Sequence, residues 1–109
     1  MPKQRTVFIS ESAARDIEQI GLYIAEHGDA ATALRIIEAL EKRCNSLDQL
    51  AERGNRPKEL IAVGITKYRE LHYKSYRIVY DVAGLRVTVH AILDGRRDMN
   101  TLLRQRLPR

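Results

Sequence analysis

The spacing of hydrophobic residues changes along the chain, and each change marks a boundary between kinds of element. Residues 5–10 (Arg5-Thr6-Val7-Phe8-Ile9-Ser10) are rich in β-branched and aromatic side chains and predict a first strand. Ala13, Ile17, Ile20, Gly21 and Ile24 then recur at spacings of three and four, which predicts a helix over 11–27 with Ser10 or Ser12 as its N-cap. Gly28 suits the C′ position of that helix, and Asp29 can cap the next. Ala33, Ile37, Leu40, Cys44 and Leu47 continue a helical stripe, giving a second helix over 30–52. The short link between the two implies an antiparallel hairpin. Gly54-Asn55-Arg56-Pro57 stops the pattern and leaves 53–64 as a loop with room for a short turn.

From there the period falls from about 3.6 to 2. Residues 66–73, 76–82 and 86–93 alternate, and their links near Lys74-Ser75 and Ala83-Gly84-Leu85 are short, as in an antiparallel meander. A last helix over 98–107 is capped by Asp98 and stopped by Pro108. The expected class is therefore α+β: strand, helix, helix, three-stranded meander, helix. The helical hairpin should pack on one face of the sheet, with the other face partly open. With Lys74-Ser75 as a two-residue turn, Leu71 faces Ile78, His72 faces Arg77 and Glu70 faces Val79. Leu71, Tyr73, Tyr76, Ile78, Tyr80 and Val82 then share the core side, continued by Val87, Val89, Ala91 and Leu93. Glu70, His72, Arg77, Arg86, Thr88 and His90 share the open side.

The 109 residues suit one domain, 1–109. Nineteen Lys and Arg against 14 Asp and Glu give a net charge of +5, which favours an acidic or polyanionic partner without naming it. Cys44 is the lone cysteine, so an internal disulfide and a cysteine-built zinc site are excluded, and its place on the helical stripe makes it core. No apolar run reaches the ~18 residues of a membrane span, and the first residues lead directly into a strand, so a cytoplasmic protein is expected. Two histidines, His72 and His90, fall on the open side, but without a placed thiol or carboxylate they do not make a metal signal. Arg77 has Glu70 and Asp81 as candidate ion-pair partners, and Tyr68 is the tyrosine most apt to be exposed.

Three segments together resemble the RelE/ParE toxins of type II toxin–antitoxin systems. They are Ser12-Ala13-Ala14-Arg15-Asp16-Ile17-Glu18-Gln19-Ile20 with Tyr23-Ile24-Ala25; the hairpin Tyr68-Arg69-Glu70-Leu71 with Tyr76-Arg77-Ile78-Val79-Tyr80; and His90-Ala91-Ile92-Leu93-Asp94-Gly95-Arg96-Arg97-Asp98 with Leu102-Leu103. The resemblance covers nearly the whole chain and implies one of two activities. RelE-like members are ribosome-dependent endonucleases that cut messenger RNA; ParE-like members block DNA gyrase.

Cleavage of RNA by its own 2′-OH needs a base, an acid and cations for the developing charge. By resemblance Arg77 and Arg97 are the phosphate-binding candidates, Glu59 the candidate base, and His90 the histidine near the final strand. The lysines of the preceding strand in RelE are here Tyr68 and Glu70, and the C-terminal tyrosine is replaced near Leu103. The Arg-Arg-Asp ending before a leucine-containing helix looks instead like the ParE side. On that reading Arg77, Arg96, Arg97, Arg104 and Arg106, with Arg109, form a surface for the target. The resemblance further implies a ParD-like antitoxin that binds operator DNA on the pair's behalf, and no cofactor. Its expected contacts are Arg15, Glu18, Leu22, Tyr23 and Ile36 on the hairpin, with Arg77 on the sheet, because Leu22 and Ile36 lie off the core stripes.

Overall fold

The computed structural model describes residues 4–108. Strand β1 (Thr6–Ile9) leads into α1 (Glu11–His27) and α2 (Ala30–Asn45), then two single-turn helices, α3 (Leu47–Leu50) and α4 (Lys58–Ile61). The meander β2 (Tyr68–Tyr73), β3 (Tyr76–Ala83) and β4 (Arg86–Asp94) follows, and α5 (Met99–Arg106) closes the described chain. The sheet order is β1-β4-β3-β2, with β1 parallel to β4 and the rest antiparallel. The α+β class and the element order agree with the expectation from sequence. Among the described residues no helix is long and apolar enough to cross a membrane.

The caps follow local chemistry. Ser10 Oγ accepts the Ala13 N–H at 3.1 Å, Asp29 accepts the Thr32 N–H at 2.7 Å, and Asp98 accepts the Thr101 N–H at 3.3 Å. Gly28 ends α1 at φ −144°, so its expected left-handed cap does not form. The expected second helix over 30–52 is interrupted at Ser46, whose hydroxyl donates to the Arg43 carbonyl at 2.7 Å. Leu47 and Ala51 nevertheless stay fully buried beyond the interruption, so the stripe continues through α3. Gly21 lets the two long helices meet: a Cβ there would lie 2.4 Å from Ile37 Cδ1.

The Lys74-Ser75 turn sets the β2–β3 register as expected, with Leu71 opposite Ile78, His72 opposite Arg77 and Glu70 opposite Val79. Farther along the meander the register shifts. Val79 pairs with Ala91 but Tyr80 pairs with Val89, so His90 is an extra residue in β4. One inserted residue reverses side-chain parity beyond it. Ala91 and Leu93, expected on the hairpin side, therefore face the other way, and Ile92 turns towards the hairpin.

That face is not open. One core gathers α1, α2 and α3 over Leu71, Ile78, Tyr80, Val87, Val89 and Ile92. A second gathers Leu60 of α4 and Met99 and Leu103 of α5, with Leu107, over Tyr68, Val79, Ala91 and Leu93. Tyr68, expected to be exposed, is buried there and donates its hydroxyl to the Pro108 carbonyl. Tyr80 ties the first core to the loop after α3: its hydroxyl donates to the Ala51 carbonyl at 2.7 Å and accepts the Gly54 N–H at 3.1 Å.

Tyr80→Phe removes both bonds and leaves a buried carbonyl and a buried N–H unpaired. It is expected to lower unfolding free energy by about 2–4 kcal/mol, measured by urea denaturation.

Candidate functional site

Three elements converge on one guanidinium. Arg77 of β3 points to the face covered by the short helices and is buried. Its Nε donates to Glu70 Oε1 of β2 at 2.5 Å, and its terminal nitrogens donate to both oxygens of Glu59 on α4 at 2.8 and 2.7 Å. The second Glu70 oxygen accepts from Asn55 Nδ2 at 2.8 Å and lies 3.2 Å from His72 Nε2. The fork geometry of guanidinium against carboxylate makes the Glu59 pair bidentate. Arg77 hydrogen bonding holds the Glu59 carboxyl at about 2, and the same bonds raise the Arg77 pKa. Beside this ion triad lies a cleft of about 480 Å³ whose walls include Arg56, Lys58, Lys74 and Arg96.

The candidate nuclease residues are thus only partly assembled. Glu59 and Arg77 meet, but each is occupied by the other. A carboxylate held so far below neutral pH is a poor acceptor for a 2′-OH proton. His90, at the bulge, lies 3.4 Å from Asp81 Oδ2, and its ring stands nearly perpendicular to that of Tyr68. Arg97 is exposed beyond β4. No described contact joins His90 or Arg97 to the Glu59–Arg77 pair. His72 and His90 do not approach each other; each faces its own carboxylate. Asp81 lies 3.7 Å from Lys67 Nζ and 3.4 Å from His90 Nε2, which makes no hydrogen bond; Arg77 pairs with Glu70, as one expectation had it, and with Glu59, which sequence spacing did not indicate.

The C-terminal arginines divide. Arg96 pairs with Asp94 at 2.7 Å but stays largely exposed, and Arg97 and Arg104 are exposed. Arg106 is a structural tie: its two terminal nitrogens donate to Asp16 of α1 at 2.9 and 2.7 Å, and Asp16 also accepts the Ile92 N–H at 3.0 Å. Arg109 lies outside the described residues. On the hairpin, Arg15 and Glu18 are exposed, and Leu22 and Tyr23 remain 50% and 63% exposed. Ile36 is a correction: at 7% exposure it belongs to the first core, because the buried arc of α2 runs from Ile36 to Cys44 and leaves Ile37, expected on the stripe, partly buried at its edge. Leu34, 56% exposed, is the outward leucine of that helix. Sequence reasoning missed Asp16 and Asn55. The one signal for Asp16 was a carboxylate on the edge of an apolar stripe.

A family model described as ParE toxin of type II toxin–antitoxin system, parDE, matches residues 7–99. A solved structure described as the chromosomal ParDE TA system from P. aeruginosa contains a similar chain, with a TM-score of 0.69 at 20% identity, covering 82% of this chain and 94% of that one. At that identity the likeness carries the fold. No curated protein sequence matches the chain.

Arg77→Met strands two carboxylates in a buried setting and is expected to cost about 3–5 kcal/mol in chemical denaturation. The Glu59 pair also has a pH signature. Its folded pKa, about 2, lies below the ordinary 4.5, so its stabilisation is complete above pH 4.5 and drains away as pH falls towards 2. Glu59→Gln should flatten the decline of Tm across that window, and a slope equal to wild type would contradict the assignment.

Proposed function

The chain belongs to the ParE family of toxins of type II toxin–antitoxin systems, and from that premise we propose that it inhibits DNA gyrase and is silenced by a ParD-like antitoxin. The observation that carries the choice of gyrase over messenger RNA is the closed Arg77–Glu59 pair. Ribonucleolytic chemistry needs a base near its working pH and a cation free to meet phosphate. In this chain the candidate base and the first candidate cation neutralise each other inside the fold. Inhibition by docking needs neither. It needs an exposed, chemically distinct surface, and Arg97 and Arg104, with Arg96, supply one at the end of β4 and on α5.

The antitoxin is assigned to the hairpin. Leu22 and Tyr23 of α1 and Leu34 of α2 are large apolar side chains left in water, flanked by the charges of Arg15 and Glu18. An amphipathic segment that folds on contact would cover such a surface. Arg77 is a positioning residue in this reading: it holds the sheet and α4 in place rather than touching a partner. Operator DNA is reached through the antitoxin.

The test is expression of the chain without antitoxin, followed through plasmid supercoiling and transcript integrity in the same cells. Lost negative supercoiling with intact messages is expected. Early, translation-dependent cleavage of messages with normal supercoiling would replace this reading with the nuclease. The double substitution Arg97→Glu, Arg104→Glu should abolish growth inhibition while changing stability by no more than about 0.5 kcal/mol, since both side chains are exposed.

A further inference from the structure

The sheet face opposite the hairpin carries a second surface. The segment through and after α4 meets α5 across a groove of about 650 Å³. Val63 and Ile65 line it from the first segment and Leu103 from α5, with Tyr68 of the sheet and two cations, Lys67 and Arg104. Val63 is 64% exposed, and its neighbour Ile61 is 49% exposed. A large apolar side chain standing in water at the mouth of an apolar groove marks a contact surface rather than a packing one.

The charges around the groove are one-sided. Arg104 makes no ion pair among the described residues, and Lys67 reaches Asp81 only at 3.7 Å. The carboxylate of Glu59, which also lines the groove, is neutralised by Arg77. What the groove offers is aliphatic lining beside the unpaired charge of Arg104 and the loosely paired charge of Lys67. A ligand that matches has apolar side chains next to carboxylates. Nucleic acid fits less well, because single strands call for exposed aromatic platforms, whereas the Tyr68 ring is 3% exposed and packed against His90.

We propose that this groove grips the gyrase target by taking a segment of it in which apolar side chains are flanked by Asp or Glu. The proposal rests on the gyrase reading and deepens it. Arg104 makes the groove continuous with the exposed arginines assigned to the target, while the antitoxin surface lies across the sheet.

Cys44 permits a direct test. It is fully buried and its thiol is pushed up to about 12 by burial, so it reacts slowly with alkylating reagents. A cysteine introduced by Val63→Cys is then the reactive thiol of the chain, and Ala31→Cys supplies an exposed control on α2. Maleimide labelling is followed on this chain in the presence of purified gyrase heterotetramer. Labelling at 63 should slow roughly tenfold at saturating gyrase, as at a contact that excludes water, with labelling at 31 unchanged. In parallel, Val63→Asp should raise the half-inhibitory concentration for supercoiling roughly tenfold without lowering Tm. Unslowed labelling at 63 while gyrase is still inhibited overturns the groove and leaves the gyrase reading standing. Protection that grows with the chain's own concentration, or that a single-stranded DNA 20-mer produces, assigns the groove to another occupant and overturns the proposal. A wild-type chain with no effect on gyrase overturns both readings.

Discussion

The buried guanidinium of Arg77 is the constraint on which the second face of the molecule depends. Two carboxylates from different elements enclose it, Glu70 from β2 and Glu59 from α4. A charge removed from water is tolerated only when paired and hydrogen-bonded, so each member fixes the others. Glu70 brings one more negative charge than Arg77 can balance alone. Asn55 donates to its second oxygen, His72 Nε2 lies 3.2 Å from that oxygen, and Lys58 adds a favourable field at Glu59. A four-residue helix has too few internal hydrogen bonds to persist in isolation. The Glu59 clamp and the burial of Leu60 hold α4 where it forms one wall of the groove.

The inserted residue His90 is the second determinant. A strict alternation through β4 would put Val87, Val89, Ala91 and Leu93 on one face and starve the other of apolar surface. The bulge instead gives Val87, Val89 and Ile92 to the long helices and Ala91 and Leu93 to α4 and α5. Two small cores then share one sheet. The Asp16–Arg106 bond runs between α1 and α5, tying the elements that cover opposite faces.

What could be read from sequence was what local physics decides. Helix α1, the caps at Asp29 and Asp98, the Lys74-Ser75 turn and the β2–β3 register depend on residues close in the chain, and these agree with the structure. Errors arose where distant contacts decide. Nothing local in Arg86-Val87-Thr88-Val89-His90-Ala91-Ile92-Leu93 distinguishes a bulged from an unbulged strand, so the second core was invisible and Tyr68 was misplaced. Ile36 was misassigned because periodicity gives the direction of a buried arc better than its width. At the site, Glu59 and Arg77 were both picked out, but as separate actors. Their pairing spans 18 positions in sequence and depends on a loop that the hydrophobic pattern does not describe.

The same skeleton can carry cleavage or docking, and the difference is local electrostatics rather than fold. A sheet arginine facing solvent is a phosphate ligand; the same arginine clamped by a carboxylate from the preceding loop is a brace. In this chain Glu59 occupies the guanidinium, and the same bonds hold its own carboxyl well below the ordinary carboxylate range. Free positive charge also stands on α5, at Arg104, where it borders the aliphatic side chains of the groove rather than an acid–base pair. Charge next to exposed apolar surface recognises a protein more readily than it breaks a phosphodiester, because recognition needs complementarity alone while cleavage needs a proton acceptor as well.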